Sequence, residues 1–321
     1  MDEKVATKIV PSDDAFHGNR RHIAAEWWYF DAVFPNGYSV HVGARTFSKK
    51  GRGFIKPMIE IYKDFELVKV VSSRFRMKYC SLSKDYANVK INGEEVIVFD
   101  KKYFDETGKW RYNVCLEIED CSVDLVFESL TSGFKIQTSR ESWAVTLPKA
   151  SVSGNIVVGG EKLEGSGFGY HDHNWNYTMK TAWDYGRAWY WGKIKSQSFN
   201  VVWANIVKSK SESEYHAIIN CDGGRFFDVH AEKIWFSENG KKVYEKKETP
   251  TLFRLVIDDV VDGTSIQAEL CCEVVGIHLD KVLGKPYWRY HVKTSGILCV
   301  DGKSEQIDGI EIMEFLRFRR V

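Results

Sequence analysis

The pair Asn36-Gly37 and the run after it, 38-YSVHVGARTF-47, decide the fold class. Asn-Gly tolerates the positive φ values that a two-residue hairpin turn demands, and the run that follows has the residue types of a half-buried strand. The same grammar recurs at Asn92-Gly93, Gly159-Gly160, Asp222-Gly223, Asn239-Gly240, Asp262-Gly263, Asp301-Gly302 and Asp308-Gly309. Between these pairs lie 94-EEVIVF-99, 123-VDLVFE-128, 199-FNVVWANIV-207 and 310-IEIMEFLRF-318. Helical i, i+3, i+4 spacing is sustained almost nowhere, and there are only six prolines, so the chain reads as an all-β antiparallel meander. So many strands must close or pair face to face to hide their edges. One barrel holding them all would be too wide to fill with side chains, so two barrels or sandwiches of about 150 residues each are expected. Alternation lapses at 177-YTMKTAWDYGR-187, which sets the expected domains at 1–180 and 181–321. The polar stretch 208-KSKSESE-214 reads as an exposed hairpin tip, and Gly165, Gly167 and Gly169 as a bulge or a close approach of backbones.

Composition narrows the function. Lys and Arg total 45 against 44 Asp and Glu, so the cationic excess needed to hold nucleic acid is missing. Aromatic residues make up 14% of the chain, which suits an extensive core and a hydrophobic small-molecule partner. The start, MDEKVATKIVPSDD, lacks the apolar stretch of a secretory signal, and no run is long and apolar enough for a transmembrane helix. Seven cysteines with no C-x-x-C pair read as reduced thiols, and adjacent Cys271 and Cys272 would face opposite sides of a strand. A cytoplasmic protein is expected. No pattern specifies an oligomeric state.

Chemistry concentrates in 169-GYHDHNWN-176. On a strand, His171, His173 and Trp175 share one face, and Tyr170, Asp172 and Asn174 the other. An H-x-H strand pair can bind a metal, but that arrangement also needs a carboxylate three or four residues on; Asn176, Tyr177, Thr178 and Met179 supply none, so no metal is expected. In 26-EWWYFDA-32, alternation separates Glu26, Trp28 and Phe30 from Trp27, Tyr29 and Asp31. In 187-RAWYWGKI-194 it separates Trp189 and Trp191 from Tyr190. His17, His22, His41, His216, His230, His278 and His291 show no partner pattern, and solvated or core roles are expected for them. There is no nucleophile elbow, phosphate-binding loop or dinucleotide fingerprint.

Glu26 to Phe30, then Gly167, Gly169 to Trp175, then Trp189, Trp191 and Gly192, together resemble the AttH-like lipocalin family. That family includes carotenoid 1,2-hydratases, kievitone-type hydratases and, more distantly, fungal Diels–Alderase-type cyclases. The run 288-WRYHVKTSGILCVDGKSEQIDGIEIMEF-315 extends the resemblance into the second half; Asn176 stands where the family usually has Gly. The resemblance implies two lipocalin-like (calycin) β domains packed together and a ligand in a barrel or near the domain junction. It also implies roles for His173, Trp175 and Tyr190. The family's hydratases carry an aspartate two residues after the tyrosine, where this chain has Gly192. Glu26, Asp172 and Asp184 are the nearby acids.

Hydrating an isolated alkene requires a protonated acid in a dry site, a base for water, and aromatic faces to steady the carbocation. The expected catalytic residues are therefore His173 as acid/base, Glu26 as proton donor or orienting partner, and Tyr190. The substrate-binding aromatics would be Trp175, Trp27, Tyr29, Trp189 and Trp191. His171, Asp172 and Asn174 are read as a structural polar network, because unpaired buried polar groups cost roughly 1–3 kcal/mol each. The expected activity is a cofactor-independent hydratase, lyase or cyclase acting on an isoprenoid or polyene. A non-enzymatic lipid carrier on the same fold is the alternative: the missing acid favours the carrier, and the His173-x-Trp175 pair favours the enzyme.

Overall fold

The computed structural model describes residues 5–19, 21–137, 141–282 and 284–319. The architecture is all-β and antiparallel, in two compact units, Met1–Ala182 and Trp183–Val321. The turn pairs act as their composition dictates. Asn92-Gly93, Gly159-Gly160, Asp262-Gly263 and Asp301-Gly302 have positive φ at both residues and join strands with no further linker. Asn239-Gly240 closes no hairpin, because Ile234–Asn239 pairs with Leu252–Val261 while the following Lys242–Tyr244 pairs with Lys247–Thr249. Asp308-Gly309 is a further exception. It lies within the strand Lys303–Arg317, opposite Ser295 and Thr294, because the preceding Asp301-Gly302 turn already makes that hairpin.

In the first unit the sheet order is Glu66–Ser72, Arg52–Lys63, Tyr38–Lys49, Ala24–Val33, Glu161–Thr178, Ser142–Val158, Cys121–Ser129, Arg111–Ile118, Glu94–Phe99, Asn88–Ile91 and Cys80–Leu82. The sheet rolls on itself. Ile55, Ile59 and Ile61 from one half share a core with Val114, Leu116, Val123 and Leu125 from the other. The decisive pairing is long-range: Ala24–Val33 lies against Glu161–Thr178, with His173 opposite Trp28 and His171 opposite Phe30. Glycines allow this seam to close, since a Cβ on Gly167 would sit 2.2 Å from the Val33 carbonyl oxygen. Register shifts between Asn174 and Tyr177, where Asn176 takes φ 62°. Asn is among the few non-glycine residues that enter this left-handed region readily, which suits it to this position.

The second unit is one sheet, ordered from Phe226–Asp228 through Ser213–Cys221, Phe199–Val207, Ala188–Lys195, Lys303–Arg317, Lys285–Val300, Thr264–Val282 and Leu252–Val261 to Ile234–Asn239. Its end strands contribute Phe227 and Ile234 to the same core. All seven cysteines are free thiols; Cys272 packs in this core while Cys271 points to the other face. A short helix that the sequence reading missed, Lys101–Thr107, starts at Asp100, whose carboxylate accepts the Tyr103 N–H at 2.9 Å.

On the face of the second sheet opposite its core, His291 is buried, and burial together with the charges of Arg289, Lys193 and His278 lowers its pKa to about 3. The unfolded chain takes up that proton near pH 6.5 and the folded chain resists it. Stability is therefore intact above this value and falls as pH drops, by up to about 1.4 kcal/mol per pH unit. Denaturant midpoints between pH 6.5 and about 5, above the carboxylate range, should show this slope, and His291→Gln should flatten it.

Candidate acid–base site

The seam between Ala24–Val33 and Glu161–Thr178 carries Glu26, Trp28 and Phe30 beside His171, His173 and Trp175 on the core-facing side. The segment before it, with a 3-10 turn at Pro11–Asp14, brings in Asp13, Asp14 and His17. Glu26 Oε1 accepts the His17 backbone N–H at 2.7 Å, and Oε2 accepts that of Gly18 at 2.7 Å. His173 Nε2 lies 3.1 Å from Glu26 Oε1. Its Nδ1 faces the Asp13 carbonyl at 3.3 Å and Asp14 Oδ1 at 3.4 Å. His171 Nε2 lies 3.1 Å from Asp14 Oδ2, which also accepts the Tyr112 hydroxyl at 2.6 Å, and its Nδ1 faces the Tyr29 carbonyl at 2.9 Å.

Both nitrogens of each ring thus face oxygen acceptors. Burial alone would raise the Glu26 pKa. The side chains of His17 and His173, the charge His173 carries when protonated, and the His17 backbone amide outweigh it and hold the carboxyl at about 2. Glu26 is accordingly a carboxylate near neutral pH.

Exposure separates the three histidines. The rings of His171 and His173 are sealed, at 0% exposure; Phe30 stacks on the first at 3.7 Å and Trp28 on the second at 4.6 Å. His17 is the ring that reaches the surface, at 28%, and it stacks flat on Trp175 at 4.0 Å. Its Nδ1 is 3.5 Å from Glu26 Oε1. The site is therefore a line running from solvent inward: His17, Glu26, His173, Asp14.

The other expected site residues lie elsewhere. Trp27 and Tyr29 are on the opposite side of the seam, Trp27 against Tyr177 and Arg45, Tyr29 against His41. Asp172 is there too, accepting hydrogen bonds from the Tyr170 hydroxyl and Trp143 Nε1, both 2.8 Å, and from Asn174 Nδ2 at 3.1 Å. Tyr190 belongs to the second unit's core, stacked on Phe315 at 4.3 Å, and its hydroxyl donates to Glu238. Burial, then Glu238, push this phenol far above its usual range. Trp189 and Trp191 are on the other side of that strand, Trp189 against Tyr185 and Trp191 beside Lys193.

Sequence reasoning missed His17, Asp14 and Glu238. His17 and Asp14 sit in an irregular segment where no periodicity assigns a direction. Glu238 is brought to Tyr190 by sheet closure rather than by local spacing.

No protein-family model matches the chain, and no curated protein matches it in sequence. Solved structures do. A candidate AttH protein from Nitrosomonas europaea superposes with a TM-score of 0.64 at 16% identity, covering 98% of this chain and 100% of the other. The fold is that of the AttH-like proteins. CghA, solved with Sch210972, superposes with a TM-score of 0.63 at 10% identity over 99% of this chain and 97% of that one. Kievitone hydratase from Nectria haematococca gives 0.56 at 12% identity over 95% and 94%. In each case the likeness runs almost from end to end of this chain, and it is one of fold.

Proposed function

We propose that this chain is an acid–base enzyme that adds water to, or removes it from, an unsaturated bond of a bulky hydrophobic molecule of isoprenoid or polyene type. The observation that carries the reading is the His17–Glu26–His173 line: a solvent-reaching imidazole backed by a buried carboxylate that a second imidazole anchors. A base held by an orienting group is the recurring arrangement for proton transfer. His17 gives the proton to the alkene carbon and later accepts one from the attacking water. Glu26 steadies the imidazolium, and its fixed charge makes it the orienting partner rather than the donor. His173 and Asp14 act behind it, holding the carboxylate in place. The Trp175 face, stacked on the His17 ring at 4.0 Å, keeps that ring in plane. No cofactor is required by this chemistry.

Kievitone hydratase and CghA on the same fold support a hydrophobic substrate; among the described residues no helix is long and apolar enough to cross a membrane. The free thiols suit a reducing, cytoplasmic setting. The test is incubation of the protein with a hydrophobic cell extract, following masses of bound and released species. Wild type should yield a species shifted by the mass of one water, and His17→Ala should bind the same molecules without converting them. Binding with no mass change by wild type would leave a carrier in place of an enzyme.

A further inference from the structure

We infer that His17 Nδ1, Glu26 Oε1 and His173 Nε2 form a binding site for a divalent transition-metal ion, zinc above others. Among the described residues this is the group in which one donor atom from each of three such side chains lies within 4.8 Å of the other two. Two of the separations are 3.5 Å and 3.1 Å, both measured to the same carboxylate oxygen. Ligands about 2.0–2.1 Å from a tetrahedral zinc are about 3.4 Å apart, so small movements admit the ion. Two imidazoles and one carboxylate suit zinc, cobalt or nickel; calcium and magnesium prefer an all-oxygen shell.

A second observation points the same way. His17 Nδ1 is buried and has no hydrogen-bond partner among the described residues, although its ring is otherwise partly exposed. At 3.5 Å it faces Glu26 Oε1 too distantly for a good hydrogen bond, whereas a bridging ion would satisfy both. The surroundings are those of a metal site. The Asp13 carbonyl and Asp14 Oδ1 face His173 Nδ1, which puts the proton there and leaves the Nε2 lone pair available. Gly18 N–H fixes the second carboxylate oxygen, and Trp175 holds the His17 ring plane. With three protein ligands, the fourth position falls to water on the solvent side.

Local sequence could not disclose this set, because the H-x-H pair divides its duties. His173 joins the site, while His171 turns to Asp14. Metal and transferable proton compete for the same nitrogens, so a bound ion would switch off the acid–base reaction proposed above. That consequence alone rests on the proposed reaction; binding itself is independent of it.

The experiment uses tag-free, full-length protein stripped with chelator and titrated with cobalt(II) as the probe, then with zinc. The expected result is one cobalt per chain with visible d–d absorption of a four-coordinate ion, displaced by zinc, and a melting temperature that rises with zinc concentration. His17→Ala should weaken zinc by more than the about 100-fold that loss of an outer-shell partner costs. Glu26→Gln, which keeps the shape of the side chain, should do the same while circular dichroism confirms the fold. Absence of cobalt absorption in wild type, or equal binding by both folded variants, would overturn the assignment. Zinc binding without turnover of any extract would refute only the proposed reaction, and turnover without zinc binding only the metal site.

Discussion

Replacing Glu26 with Ala should lower the stability of the first unit by about 3–5 kcal/mol, the usual cost of removing one member of a buried charged network. The side chain accepts two backbone N–H groups at 2.7 Å and faces His173 at 3.1 Å, so truncation strands three polar groups at once. Glu26→Gln keeps the shape and one carbonyl acceptor but turns an NH2 toward a donor, and should cost about 1–3 kcal/mol. The wild-type contribution also has a pH signature. A carboxyl at about 2 in the folded state against 4.5 as its ordinary value stabilises the fold fully above pH 4.5. About 3 kcal/mol of that is lost as pH falls toward 2. Urea titrations of wild type and both variants at neutral pH and near pH 3 check this. The variants should lie closer to wild type in acid, because the protein has by then lost the same charge.

Placing an aspartate at position 192, two residues after Tyr190 where the family resemblance would expect one, should fail. A Cβ at Gly192 would sit 2.6 Å from the indole of Trp203, which is only 2% exposed and packed in the second core. Gly192 and Trp203 are opposed on neighbouring strands, so neither can withdraw without disturbing the sheet. Overpacking of this kind costs about 1–3 kcal/mol, and a buried carboxylate adds several more unless it is neutralised. Gly192→Asp should therefore unfold well below wild type in denaturant and gain no turnover; Gly192→Ala should show the overpacking cost alone. The acid beside the Tyr190 hydroxyl is instead Glu238. A stable, newly active Gly192→Asp would contradict this account of why the position is glycine.

How much of this was legible in the sequence depends on the range of the interaction involved. Turn pairs and strand alternation are local, and six of the eight turn pairs fall at hairpins. Asp308-Gly309 misled because a dipeptide cannot report that the neighbouring Asp301-Gly302 has already turned the chain. The Lys101–Thr107 helix was concealed by its length, although Asp100 before it and Gly108 after it are its caps. For the site, period-2 parity correctly grouped Glu26 with Trp28 and His171 with His173 and Trp175. The meeting of the two groups depends on a pairing between strands more than a hundred residues apart, which local sequence does not report. His17 and Asp14 left no periodic trace. Their positions follow from backbone N–H groups finding the Glu26 carboxylate, and from Trp28 Nε1 donating to the Asp14 carbonyl at 2.9 Å. Parity also kept Trp27 and Tyr29 away from the histidines, so an aromatic-rich strand does not imply an aromatic-lined pocket.

The central claim is that a relay reaches solvent through His17 while His171 and His173 stay sealed behind it. Brief treatment of the native protein with diethyl pyrocarbonate, followed by peptide mass mapping, tests it most directly. The account predicts carbethoxylation of His17, with zinc slowing it, and none at His171 or His173 until the fold is broken. Modification of His173 as fast as His17, or a His17 as inert as the buried pair, would contradict it.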